Sequence, residues 1–285
     1  MNKRFEYFPA RSVDEALRLL NEHSDAEPIA GCTNTLVDVR THRAHTKMVV
    51  DINRLSDLRF AHRDNEVIRI GPLTTLAECL NDPFFNNEAP LLKRMAGEFA
   101  GPIIRNRATL GGNIAYASPA ADSLPAFLAL DANLTLSSNK RGNRTIAVSE
   151  FMTGPRESVC EQDELITEIS FPALNGDVRI GYFKFALRNA MAISIVSGAV
   201  VLRMYGKKIQ EASLALGAVA AVPYRVSDAE ELLIDTKLTE ELIREVAHLA
   251  GASCSPINDI RGSADYRRAM VEVMTRRMIQ QAMVS

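Results

Sequence analysis

The chain has 285 residues, of which 47% are hydrophobic and 24% charged, a balance that excludes a mostly disordered polypeptide. Thirty-three Lys and Arg against 35 Asp and Glu give a formal net charge of −2, without the basic excess of a nucleic-acid binder. The longest apolar runs, residues 192–202 and 214–223, are about ten residues each, and a bilayer span needs roughly 18. The length suits two domains of roughly 150 residues, or one large one.

The first half alternates helical and strand patterns. Ser12-Val13-Asp14-Glu15 is a capping box, followed by Leu17, Leu19 and Leu20 as packing residues of a helix. Pro28-Ile29-Ala30-Gly31 reads as a short strand entering a turn. Residues 47–52 form a β-branched run, and Val67-Ile68-Arg69-Ile70 alternates; both predict strands. Thr75 opens a short helix. Residues 89–100 carry Leu91, Leu92, Met95, Ala96 and Phe99 at helical spacing. Residues 123–132 predict a third helix with Pro125 in its first turn. Residues 133–138 and 144–148 predict a hairpin about the turn 139–143, and residues 165–171 a strand closed by Pro172. Ala173-Leu174-Asn175-Gly176-Asp177 is the linker candidate.

The rhythm then changes. Residues 182–187, 194–204 and 209–219 predict three consecutive strands, with Tyr205-Gly206-Lys207-Lys208 turning between the last two. Helices follow: one capped by Ser227-x-x-Glu230, one over 239–250 ending at Gly251, and a long one over 263–284. Strands followed by helices predict a small α+β unit with helices on one sheet face.

Cys32, Cys79, Cys160 and Cys254 are dispersed, and no pair has the close spacing of a zinc or iron–sulfur site. They read as four reduced thiols. The five histidines are scattered, and His42 and His45 lack an obvious third ligand. The start Met-Asn-Lys-Arg-Phe-Glu has no apolar signal core. The expected compartment is the cytoplasm.

Two segments are rich in glycine and hydrogen-bond donors: Ala30-Gly31-Cys32-Thr33-Asn34-Thr35-Leu36, directly after a strand, and Thr109-Leu110-Gly111-Gly112-Asn113-Ile114-Ala115. Such turns let backbone N–H groups converge on an anion, and the hydroxyl and amide side chains suit a pyrophosphate. Taken alone, each reads more readily as a plain tight turn. Neither is a Walker loop or a Gly-x-Gly-x-x-Gly fingerprint. Downstream, Asp122 in Ala117-Ser118-Pro119-Ala120-Ala121-Asp122-Ser123 reads as a helix N-cap, as a carboxylate for hydroxyls of a ligand, or as both. No acid–base or nucleophile constellation emerges, which leaves any chemistry to a cofactor.

Taken together, residues 30–36, Ile104-Arg105-Asn106-Arg107-Ala108-Thr109-Leu110-Gly111-Gly112-Asn113 and residues 117–122 resemble the FAD subunit of molybdenum hydroxylases. That family includes xanthine, carbon monoxide and nicotinate dehydrogenases. Residues 183–194 are similar to the start of the family's C-terminal domain. The resemblance implies an α+β fold: a two-lobed FAD-binding domain of the vanillyl-alcohol-oxidase type over 1–176, with a small lobe of about 1–56 and a larger lobe of about 57–176. A small α+β domain with a three-stranded antiparallel sheet would follow over 177–285. It also implies a large molybdopterin-binding subunit and a small [2Fe-2S] subunit as partners, and electron transfer to an acceptor such as NAD.

Carried over residue by residue, the resemblance implies that Ile29, Ala30, Gly31, Cys32, Thr33, Asn34 and Thr35 line the FAD diphosphate. Thr109, Gly112 and Asn113 form the second phosphate turn. Asp122 and Lys184 contact polar groups of the cofactor, Phe99 lies near the flavin or the nicotinamide approach, and Leu165 and Ile166 pack beside the flavin or adenine. Plain strand core is the alternative for Leu165 and Ile166, and a solvated strand lysine for Lys184. Cys32 stands where many relatives have Gly, and Asn34 where many have Asp. No metal is expected in this chain, and no side chain is assigned a catalytic role. Two other readings compete: a free-standing flavin oxidoreductase, and a structural subunit that has lost FAD. Thr33, Thr109, Gly111, Gly112, Asn113 and Asp122 argue against the latter.

Overall fold

The structure is a computed structural model that describes residues 5–41 and 47–284; His42 and His45 lie outside the described residues. The chain opens with strand β1 (Glu6–Pro9), helix α1 (Val13–Glu22), strand β2 (Ala26–Ile29), helix α2 (Thr35–Arg40) and strand β3 (Met48–Asp51). The strands form a parallel sheet in the order β1-β3-β2, with Glu6 and Ala26 both in register with Met48. Helix α1 begins as predicted. The Glu15 amide donates to Ser12 Oγ at 3.1 Å, while the Glu15 carboxylate accepts from the Arg11 amide at 2.7 Å. The leucines of α1 are buried in a core with Val50, Ile52, Leu55 and Leu58. The β2 strand stops at Ile29, so Ala30 and Gly31 belong to the turn.

Next come β4 (Ala61–Asp64), β5 (Val67–Ile70), α3 (Leu76–Asn81), α4 (Pro83–Asn87), α5 (Pro90–Glu98), α6 (Pro102–Arg105), α7 (Leu110–Ala115) and α8 (Ser123–Ala129). After them follow β6 (Asn133–Ser138), β7 (Gly142–Ala147), α9 (Val148–Phe151), β8 (Met152–Gly154), β9 (Glu157–Ser158) and β10 (Glu164–Pro172). Five strands pair antiparallel in the order β4-β5-β10-β6-β7. Their alternate residues Ile68, Ile70, Leu134, Leu136, Ile169 and Phe171 share a core with Leu91, Leu92 and Met95 of α5 and Leu124 and Phe127 of α8. Helix α8 is shorter than predicted. Asp131 turns left-handed (φ 51°), and the Ala132 amide reaches back to the Phe127 carbonyl, closing the helix end.

Strand β10 begins with a buried Glu164 that pairs with the exposed Arg144. Arg144 donates from Nε and Nη2 to the two carboxylate oxygens of Glu164, both at 2.7 Å, and the Glu161 amide adds a third bond at 2.9 Å. The Arg144 hydrogen bonds hold the Glu164 carboxyl below its usual value of 4.5, outweighing burial, with help from the Glu161 amide. A lowered native pKa gives stability that is present above pH 4.5 and is lost as pH falls through the native value. Glu164→Gln is therefore expected to cost about 1–3 kcal/mol at pH 7. Urea unfolding should show that deficit narrowing as the pH is lowered below 4.5.

The last part contains β11 (Val178–Phe185), β12 (Val196–Tyr205), β13 (Lys208–Gly217), β14 (Tyr224–Arg225), α10 (Ser227–Leu233), α11 (Glu240–Ala252) and α12 (Ala264–Val284). The sheet has four strands, not three, in the antiparallel order β11-β12-β13-β14. The added β14 is a two-residue segment that pairs with Ala215 and Leu216. Ser227 and Glu230 do not form a cap. Glu230 is buried instead, accepting the Leu214 amide at 2.7 Å and two bonds from Arg225. Gly251 lies inside α11 rather than after it. Ile180, Tyr182, Ala199 and Ala215 of this sheet join the core of the five-stranded lobe, so the two parts share buried surface.

Candidate cofactor site

Residues 30–34 leave β2 and enter α2. The Leu36 amide donates to the Cys32 carbonyl at 3.3 Å and the Asp38 amide to the Asn34 carbonyl at 3.0 Å. The amides preceding Leu36 have no carbonyl one turn behind them in the helix, so they are available to an anion. In the second turn the amides of Leu110, Gly111, Gly112 and Asn113 all donate within the chain. Thr109 is the N-cap of α7, and its Oγ1 accepts from the Gly112 amide at 3.1 Å. Its position is fixed by backbone bonds from Leu76 to Ala108, Leu110 to Thr74 and Gly111 to Pro72, at 2.8–3.0 Å.

The two turns touch. A Cβ built on Gly31 would lie 1.8 Å from the carbonyl oxygen of Arg107, two residues before Thr109. Gly111 is pressed in the same manner on Pro72, at 2.4 Å. Glycine at position 31 lets the first turn approach the backbone that leads into the second. Gly31 thus packs on the backbone of Arg107 and Ala108, which leads into the turn 109–113.

Cys32 is the strained member. Its φ is 58°, in the left-handed region that costs an L-residue roughly 1–2 kcal/mol. Its Sγ donates to the Ala30 carbonyl at 3.3 Å. Burial, and then Asp51, push the thiol pKa up against the nearby Arg107, so it stays protonated at neutral pH and is a poor nucleophile. Cys32→Gly removes the strain but frees the unfolded chain, so a net gain of up to about 1 kcal/mol is expected. Thermal unfolding should show a rise of about 2–4 °C. The Asn34 side chain makes no cap bond to α2.

A second cluster lies where α8 meets the four-stranded sheet. Asp122 is 7% exposed and precedes α8, but its side chain does not cap that helix. Its Oδ2 accepts from Lys184 Nζ at 2.6 Å and its Oδ1 from Ser194 Oγ at 2.6 Å. Its carbonyl accepts from the Tyr182 hydroxyl at 3.0 Å. Burial pushes the Asp122 carboxyl above its usual value, against the pull of Lys184 and Ser194. The start of α8 is capped instead by Asn113, whose Oδ1 accepts from the Ser123 amide at 3.2 Å and from Ser123 Oγ at 2.6 Å. Asn113 therefore joins the phosphate-type turn to the Asp122 cluster. Lys184 is not a solvated lysine: its ammonium also faces the Phe99 ring, 5.9 Å from the centroid.

Phe99, Asp122 and Lys184 are brought together, and so are residues 29–35 with 109–113. Leu165 and Ile166 are both buried, but in different cores: Leu165 with the leucines of α1, Ile166 with the five-stranded lobe. Sequence reasoning assigned no role to Ser194, Tyr182 or Ser123. It also missed a clasp between α2 and α7. Asp38 accepts from the Tyr116 hydroxyl at 2.9 Å and pairs with Arg156 at 3.2 Å, and the Arg156 guanidinium lies over the Tyr116 ring at 4.5 Å. No local pattern announces it, because Asp38, Tyr116 and Arg156 lie on three separate segments.

Comparison with known proteins agrees over the full length. Residues 3–174 match a family described as the FAD binding domain in molybdopterin dehydrogenase, and residues 181–282 one described as the CO dehydrogenase flavoprotein C-terminal domain. The chain is 31% identical over 281 residues to the xanthine dehydrogenase FAD-binding subunit of Escherichia coli O157:H7, covering 98% of this chain and 96% of that one. It is 32% identical over 280 residues to the carbon monoxide dehydrogenase medium chain of Hydrogenophaga pseudoflava, covering 98% and 97%. A solved carbon monoxide dehydrogenase structure from the same organism superposes with a TM-score of 0.96 at 32% identity, covering 100% of this chain and 99% of that one.

Proposed function

The chain belongs to the family of FAD-binding subunits of the molybdopterin dehydrogenases, and from that premise we propose that it is an electron-transfer subunit serving partner chains. The observation that carries this reading is the contact of Gly31 with the Arg107 carbonyl, which brings the donor-rich first turn against the backbone leading into the second. Residues 29–35 with Thr109, Gly112 and Asn113 would hold the diphosphate. Asp122, Lys184 and Phe99 would hold a polar and aromatic part of the cofactor, with Leu165 and Ile166 as backing.

FAD, when bound, supplies redox chemistry that couples one-electron to two-electron transfer. The chain's own residues bind and orient. The backbone amides of the first turn would face negative charge without needing a cationic side chain. Lys184 Nζ is fixed by one oxygen of Asp122, whose other oxygen accepts from Ser194. Tyr182, whose pKa burial raises well above its usual value, stays protonated and holds the Asp122 backbone. A binding site built this way needs no titrating side chain to work, which fits the absence of an acid–base set in the sequence.

On this reading the chain receives electrons from a small [2Fe-2S] subunit, while a large molybdopterin subunit oxidises the substrate. The acceptor is NAD or a similar carrier. Similarity to the medium chains of carbon monoxide dehydrogenases supports a multi-subunit assembly. The FAD-binding domain would run over 1–176 and the C-terminal domain over 177–285. Four free thiols fit a reducing cytoplasm, and no helix among the described residues is long and apolar enough to cross a membrane.

The test is a visible absorption spectrum of the gently purified native protein, with mass identification of released cofactor and co-purifying chains. FAD with iron–sulfur and molybdopterin partners is the expected result. A colourless protein that takes up no added FAD would overturn the proposal.

A further inference from the structure

Arg267 lies in the first turn of α12, yet only 2% of it is exposed. Its Nη1 donates to the Ile195 carbonyl at 2.7 Å and to the Ala218 carbonyl at 3.2 Å. Its Nη2 donates to Asp259 at 2.7 Å. One guanidinium thus clamps the residue that precedes β12 and the residue that follows β13. These two points are not arbitrary. The Ile195 amide donates to the Phe185 carbonyl at 2.8 Å, beside Lys184, and Ile195 follows Ser194, whose hydroxyl binds Asp122. The Ala218 amide donates to the Pro119 carbonyl at 2.8 Å, in the segment that ends at Asp122.

Both routes from Arg267 therefore lead to the segment that carries Asp122. One runs through Ile195 and Ser194, the other through Ala218 and Pro119. An apolar residue of similar volume would satisfy the packing need at least as well, since buried charge carries a desolvation cost. A planar fork that bonds three separate acceptors fixes geometry in a way a lysine cannot.

We propose that Arg267 is a positioning residue for the cofactor: it sets Ser194 and the segment 119–122 so that the Asp122–Lys184 pair is presented to FAD. This rests on the function proposed above. Arg267 itself does not touch the site; it acts through Ser194 and Pro119.

The experiment is a double-mutant cycle on the full chain, with FAD affinity read by flavin fluorescence and stability read by thermal unfolding. Arg267→Lys and Ser194→Ala are each expected to weaken FAD binding about tenfold, the scale of losing one charge-assisted hydrogen bond. Because they share a route, the double variant should bind no worse than the weaker single one. A purely structural arginine would not produce that coupling. The proposal is overturned if Arg267→Lys binds FAD as the wild type does, or if the double variant loses about a hundredfold, as independent effects would give. If Arg267→Lys does not fold, Asp259→Asn, which weakens the Arg267 Nη2 bond and also the pair with Arg261, takes its place in the same cycle with the same two outcomes, and Arg261→Ala is the control for the second loss. A wild-type chain that binds no FAD would instead remove the function on which the inference rests.

Discussion

Gly31→Ala is expected to remove tight FAD binding while most of the chain stays folded. The added methyl group would sit 1.8 Å from the Arg107 oxygen and 2.6 Å from its carbonyl carbon. One side must yield. The Arg107–Ala108 backbone is tied down, because the Ala108 amide donates to the Ile104 carbonyl at 2.7 Å and the Ala108 carbonyl accepts from Leu76 at 3.0 Å. The movable partner is the turn from Ala30 to Thr35, which is half-exposed and precedes a short helix. Overpacking of this kind costs about 1–3 kcal/mol. If the turn relieves it by swinging away, the cost appears as lost affinity, up to about a hundredfold at 1.4 kcal/mol per decade. Gly97→Ala is the control. Its Cβ would meet only Leu80 Cδ1, at 4.0 Å, so it should bind FAD normally and gain about 0.5–1 kcal/mol from the better helix former. Fluorescence titration of both variants decides the matter: a Gly31→Ala chain that binds FAD like the Gly97→Ala chain would show that the contact between the two turns does not build the site.

The same contact explains what could and could not be read from the sequence. The donor-rich turns were visible as residue strings, since a turn's chemistry is local. Their apposition was not, because Gly31 and Arg107 are far apart in the chain and nothing in either segment names the other. Local signals performed well elsewhere: Ser12 and Thr75 cap their helices as their spacing implies, and Thr75 forms a full reciprocal box with Glu78. They failed where tertiary demand took over the same side chains. Asp122 has the form of an N-cap, but Lys184 and Ser194 claim its carboxylate and leave the helix start to Asn113. Ser227-x-x-Glu230 has the form of a box, but Arg225 and the Leu214 amide claim Glu230. Strand β14 has only two residues, and its pairing with β13 creates it; no hydrophobic period of that length could announce it. In each case the competing partner lies on another element, which is the kind of information a one-dimensional pattern lacks.

Lys184→Met is the second large effect, and it separates folding from binding. The ammonium and the Asp122 carboxylate are both nearly sealed from solvent, with side-chain exposures of 8% and 9%. Removing the cation leaves a buried carboxylate with only Ser194 to satisfy it, a change that costs about 3–5 kcal/mol. For a chain of this size the melting temperature should fall by roughly 10 °C. The pH dependence has a definite sign. Burial already holds the Asp122 pKa above its usual 3.8, and loss of Lys184 removes the opposing pull, so it rises further. A raised native pKa means that the folded state binds the proton better than the unfolded one. That contribution is fully present below pH 3.8 and is lost as pH rises through the native value. The deficit of Lys184→Met should therefore be largest at neutral pH and shrink on acidification. Replacing both partners, Lys184→Met with Asp122→Leu, should restore most of the stability, because an apolar pair of similar volume is close to neutral against a buried ion pair. It should not restore FAD binding, because the polar group offered to the cofactor is gone. Urea unfolding at pH 7 and pH 5, paired with FAD titration, reads both quantities on the same samples. Recovery of FAD affinity in the double variant would mean that the pair serves the fold alone.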